Sequence, residues 1–134
     1  MAVNYEYDLL ETYLYARLNG EYNLEEAKHV SVNLLEICRV HQITKILIDV
    51  FELQGEPTVY ERFAYAEYMA SMYRAYIHRG FNLRQWAVVG LPPIIAPNRF
   101  GENVAVNRGM TVKVFYTIEE AQQWLGVAQH PVTL

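Results

Sequence analysis

Cysteine is nearly absent from this chain, and so are blocks of like charge and long apolar runs. The one cysteine, Cys38, excludes an intrachain disulfide and suits a reducing compartment. It falls on what reads as the inner face of a helix, where a free cysteine is more often a small buried hydrophobe than a nucleophile. The 11 basic and 15 acidic residues, a net charge of -4, form no basic stripe, so neither a phosphate backbone nor an anionic bilayer finds an electrostatic footprint. No apolar run reaches the length of a membrane span, and Met1-Ala2-Val3-Asn4-Tyr5-Glu6 lacks the basic and apolar regions of a signal peptide. The expectations are no nucleic acid, no membrane insertion and a cytoplasmic address.

Signatures of catalysis are missing as well. The four histidines, His29, His41, His78 and His130, are scattered, with no helical pair four residues apart and no cysteine at ligand spacing, so no metal is expected. There is no glycine-rich dinucleotide fingerprint, no phosphate-loop lysine and no nucleophile elbow. A protein without a cofactor and without enzymatic activity is the expectation.

What is present is a chain of 134 residues, 52% of them hydrophobic, enough for one core, and residues 1–134 read as a single domain. From about Val3 to Leu18 polar and apolar residues alternate, as two strands or one bent ribbon, and Asn19-Gly20 closes the run with turn chemistry. Asn23 with Glu26 resembles a reciprocal helix cap, followed by a stripe of Ala27, Val30, Leu34, Ile37 and Cys38 that ends near Val40. Lys45 to Val50 is a β-branched run of the kind buried on both faces of a sheet. Thr58 caps a long helix to about Arg79, with Gly80 as its terminator. Gln85 to Gly90 and Thr111 to Phe115 read as further strands, Phe100 to Asn107 as a short helix, and Thr117 with Glu120 starts a last helix that Gly126 stops. Strands alternating with helices imply a largely parallel α/β sheet, with the N-terminal strands as its antiparallel part.

Three groups of side chains are candidates for function. Asp49, near the C-terminal end of the expected central strand, stands where open α/β sheets gather ligands, or else it accepts hydrogen bonds from the loop that follows. Arg62, Asn98, Arg99, Asn107 and Arg108 fall in loops and helix ends of that same edge and are candidates to hold an anion, with ordinary capping and surface pairing as the alternative. On the long helix, Phe63, Ala66, Ala70, Tyr73 and Ile77 form a stripe suited to the sheet, and Tyr65, Met69, Met72 and Tyr76 form a second one. Tyrosine and methionine are enriched in interface cores, so the second stripe points to a protein partner or a homodimer, unless neighbouring helices cover it.

The order of elements, with Lys45-Ile46-Leu47-Ile48-Asp49-Val50 and a capping hydroxyl eight residues later, resembles the STAS or SpoIIAA-like family. The words Tyr60-Glu61-Arg62, Pro97-Asn98-Arg99-Phe100-Gly101-Glu102 and Val104-Ala105-Val106-Asn107-Arg108-Gly109, with Val114-Phe115 ahead of Glu120-Ala121 and Trp124-Leu125, are similar to a bacterial subgroup of uncharacterised SpoIIAA-like proteins. The resemblance implies a STAS-like sheet of five or six strands, mostly parallel with an antiparallel N-terminal edge, and about four helices. It also implies a regulatory, non-enzymatic interaction module like the anti-sigma-factor antagonists, in which a serine at the start of the helix after the central strand is phosphorylated. The corresponding residue is Thr58, although the usual Asp-Ser-Ser-Gly-Leu is replaced by Glu56-Pro57-Thr58-Val59-Tyr60. A phosphate there would meet the free amides of a helix start, and a plain N-cap is the simpler role. STAS domains are also compared with lipid-carrying Sec14-type folds, which implies the alternative of binding a small apolar or amphipathic ligand between sheet and helix; as the rival function this is a small-ligand or lipid binder using the strand-end loops around Asp49, Arg99 and Arg108.

Overall fold

A computed structural model of the chain describes residues 2–128. The elements run β1 (Val3–Leu9), β2 (Leu14–Glu21), α1 (Leu24–His41), β3 (Lys45–Gln54), α2 (Val59–His78), β4 (Gln85–Val89), α3 (Phe100–Asn107), β5 (Val112–Phe115) and α4 (Ile118–Leu125). The five strands lie in one sheet in chain order. β1 pairs antiparallel with β2, and every later pairing is parallel. The architecture is the mixed sheet with an antiparallel N-terminal edge, and four helices, that the alternation of elements implies.

Two local expectations are corrected. Asn19-Gly20 does not turn the chain but lies inside β2, where the β2–β3 register slips between Arg17 and Asn19. Gly20 adopts φ +105°, and a Cβ there would collide with the carbonyl oxygen of Ala2, which accepts from the Glu21 amide, so the glycine serves a close approach of neighbouring strands. β3 continues to Gln54, pairing Glu52, Leu53 and Gln54 with Asn19, Gly20 and Glu21, which leaves Asp49 in mid-strand. The polar alternation of Phe51-Glu52-Leu53-Gln54 reads as loop only while the partner strand is unknown.

The helix starts are held as their sequences dictate. Thr58 and Glu61 form a reciprocal capping box, with the Thr58 hydroxyl 3.1 Å from the Glu61 amide and the Thr58 amide donating to the Glu61 carboxylate at 2.9 Å. Asn23 accepts from the Glu26 amide at 3.0 Å, but the Glu26 carboxylate accepts from the Val3 amide at 2.9 Å. That bond ties the start of α1 to β1 instead of closing a second box.

Burial divides the sheet into two faces. Ala16, Ile46, Ile48, Trp86 and Val114 pack toward α1, α2 and α3, whereas Tyr13, Tyr15, Leu47, Ala87 and Phe115 pack toward α4. The second stripe of α2 belongs to the first of these cores. Met69 and Tyr76 are buried, and Tyr65 and Met72 are half-buried against it. The Tyr65 and Ser31 hydroxyls are 2.5 Å apart, and Tyr76 donates to Glu36 at 2.6 Å, so most of the stripe is spent on sealing α2 onto α1. Ile77, expected to face the sheet, is 43% exposed. α2 contacts both α1 and α3, and periodicity along one helix does not reveal how many neighbours flank it.

Candidate functional site

A cavity of about 170 Å³ lies between the sheet and the three helices of the larger core. Its sheet wall is apolar, built from Ile48, Val50, Trp86, Val88, Val112 and Val114. It stays open because the helices present Ala27, Ser31, Ala66 and Ala105 there, side chains too short to meet that wall at ordinary packing density. The hydroxyl pair of Ser31 and Tyr65 is part of its lining. Burial raises the Tyr65 hydroxyl pKa and holds it in its neutral, hydrogen-bonding form.

Charge reaches the cavity from three side chains. Arg62, in the first turn of α2, donates to the carbonyls of Ile94, at 2.7 Å, and Pro93, clasping α2 to the segment 91–99 that closes one side. Glu102 accepts from the Val114 amide at 2.7 Å and so pins α3 to β5. Arg99, at φ 55° immediately before α3, has its guanidinium 3.9 Å from the Glu102 carboxylate and is 41% exposed at the side chain. Asn98 stands one residue away and accepts from the Phe100 amide at 3.1 Å, a role confined to shaping the turn.

The remaining candidates lie elsewhere. Asn107 is exposed at the far end of α3. Arg108 sits 5.3 Å over the ring of Phe63, within 3.4 Å of the Val104 carbonyl and 3.5 Å of Glu67. Asp49 is on the opposite face of the sheet from Arg62 and Arg99, beside Tyr15 in the α4-side core. Its two oxygens accept from the Tyr15 hydroxyl at 2.7 Å and from the Phe51 amide at 2.9 Å. The grouping of Asp49 with Arg99 and Arg108 is therefore corrected, since alternate residues of a strand point to opposite faces. Burial, then the hydrogen bond to Asp49, pushes the Tyr15 hydroxyl well above the ordinary phenol range. Tyr15→Phe leaves one buried carboxylate oxygen short of a donor and is expected to cost about 1–3 kcal/mol in urea unfolding. A change below about 0.5 kcal/mol would mean that the pair carries little of the fold.

Thr58 is exposed, directly after Pro57, which lines the cavity. The residues that sequence reasoning passed over are Ser31, Tyr65 as a cavity hydroxyl, and Glu102. Their only signal was a set of small inward positions, Ala27, Ser31, Ala66 and Ala105, that also suits a tightly packed helix. Among the described residues no group of three His, Cys, Asp or Glu side chains stands together as a metal site, and no helix is long and apolar enough to cross a membrane. His130 lies outside the described residues.

No protein-family model matches the chain, and no curated protein matches it. Solved structures do. An anti-sigma factor antagonist from Mycobacterium paratuberculosis superposes with a TM-score of 0.60 at 10% identity, over 92% of this chain and 94% of that one. An uncharacterised protein of the DUF3478 family with a SpoIIAA-like fold, from Shewanella loihica PV-4, superposes with a TM-score of 0.52 at 20% identity, over 92% and 93%. At these identities the likeness is one of fold, and it runs nearly the full length of each chain.

Proposed function

We propose that this chain, which has the SpoIIAA-like or STAS fold, is a non-enzymatic binding module that takes up a small apolar or amphipathic ligand beneath α2. The observation that supports this reading is the apolar cavity of about 170 Å³ bordered by Arg62 and Arg99. A hole of this kind forgoes dispersion contacts that larger helix side chains would supply, and a ligand that fills it restores them. The reading concerns one protomer, because Tyr65, Met69, Met72 and Tyr76 are taken up inside it. A cytoplasmic setting goes with its lone buried thiol.

Benzene is the simplest probe of the site. Saturating benzene is expected to raise the melting temperature of the unaltered protein and to leave that of Ala66→Leu, whose added carbons occupy the space, unmoved. An unaltered protein that does not respond to benzene would defeat the proposal.

A regulatory protein-interaction module is the second reading. It is favoured by the fold shared with the Mycobacterium paratuberculosis antagonist and by the exposed Thr58 at a helix start. A phosphate on Thr58 would displace the capping-box geometry and bring negative charge beside Glu61 and Arg62. Capture of a partner protein that is lost on Thr58→Ala but kept when the cavity is filled would favour this reading over the first.

A further inference from the structure

Size restricts what the cavity can hold. Its volume of about 170 Å³ is close to that of an engineered apolar cavity of about 150 Å³ that stays dry and binds benzene, and is below the roughly 300 Å³ at which drug-sized pockets begin. One ring, or a short branched chain, fits. The acyl chain of a membrane lipid fits with only part of its length. Trp86, Tyr65 and Met69 supply flat and polarizable walls, which suit a ring.

Charge restricts it further. Of the three charged side chains that border the space, two carry positive charge, Arg62 and Arg99, and one negative, Glu102. Arg62 spends its terminal nitrogens on the carbonyls of Pro93 and Ile94, and Glu102 spends one oxygen on the Val114 amide. Arg99 makes no side-chain hydrogen bond among the described residues, only the 3.9 Å pairing with Glu102, and its guanidinium carries five N–H donors. The lining thus carries a net positive charge, and Arg99, loosely paired with Glu102, is the side chain with the most unused donors, at the border between the apolar interior and water.

We infer that the cavity takes a small apolar carboxylate, a single-ring or short branched acid, with its hydrocarbon part beneath α2 and its carboxylate on Arg99. This deepens the ligand-binding reading and rests on it. A monoanion balances the net charge of the lining and a planar carboxylate matches the fork of a guanidinium; a cationic ligand meets neither condition, and a long-chain acid meets both but exceeds the volume. Arg62 acts as a positioning residue, since it holds the 91–99 segment in place.

The test is calorimetric titration of the full chain with phenylacetate and with its neutral isostere phenylacetamide. Phenylacetate is expected to bind about tenfold more tightly, the ratio set by one charge-assisted contact. Arg99→Asn should bring the acid close to the amide and weaken the amide far less than the acid, and asparagine tolerates the left-handed backbone at this position. Equal affinities in the unaltered protein, a preference for the acid that survives Arg99→Asn, or tighter binding of palmitate than of phenylacetate would each overturn the inference. If benzene is taken up while phenylacetate shows no advantage, the ligand class falls and the cavity reading stands. If benzene is not taken up, both fall.

Discussion

Trp86→Ala is expected to lower the free energy of unfolding by about 3–5 kcal/mol, the range for deleting a buried aromatic side chain. Trp86 is among the largest fully buried side chains, on β4 between Ile46 of β3 and Val112 of β5. Its indole already forms part of the wall of the cavity, so its removal enlarges an existing void instead of opening one that neighbours can close. In a thermal melt followed by circular dichroism the loss corresponds to about 10–20 °C for a chain of this size. Added indole should recover part of it by refilling the space, as apolar ligands do in truncated cores. A cost under about 1.5 kcal/mol would show that α2 and α3 settle onto the sheet, and the space would then count as slack in packing.

Cys38 labelling has the other large expected effect. The thiol has no exposure on the inner face of α1, and burial pushes its pKa up to about 12 from an ordinary value near 9. The thiolate is the reactive form, so an aromatic disulfide reagent at pH 8 should modify the native protein at least about 10³-fold more slowly than the urea-unfolded chain, through rare opening alone. The same shift has a pH consequence of fixed sign. The folded thiol keeps its proton where the unfolded one has lost it, so this contribution is complete below pH 9 and is lost as pH rises through 12. Tyr15 and Tyr65, whose hydroxyls are likewise raised by burial, act in the same direction. Comparable labelling rates in the native and unfolded protein would place Cys38 at the surface.

Local physics made most of the fold legible. The Thr58–Glu61 box is written in two residues and forms between them. The Lys45 to Val50 run announces a strand buried on both faces, and β3 is the middle strand of the sheet. Non-local partners account for what was missed. Nothing around Asn19-Gly20 announces that the Ala2 carbonyl lies against it, and nothing around Glu26 announces that Val3 will claim its carboxylate. The candidate site was half visible for the same reason. Arg62 and Arg99 stand out in the sequence as charges near helix starts, whereas Ser31, Ala66 and Ala105 are ordinary helix residues until three helices bring them over one patch of sheet. Asp49 falls outside the group because β3 runs on to Gln54 and because alternate strand residues face opposite sides of the sheet, neither of which the run Lys45 to Val50 shows by itself.

The sheet, whose spatial order repeats its order along the chain, also sets the sequence of events at the ribosome. Each strand leaving the tunnel can dock only on the strand before it, so the nascent sheet always has one growing edge. For most of the synthesis of α2 that edge is β3, whose Ile46-Leu47-Ile48 core has no neighbour on one side until β4 emerges. At a translation speed of about 5–20 residues per second the interval is about 2–7 s, long against strand pairing and long enough for two nascent chains on one messenger to meet. Synonymous codons that slow translation between Gln54 and Gln85 are expected to lengthen that exposure, and chaperone dependence in the cell to rise with it.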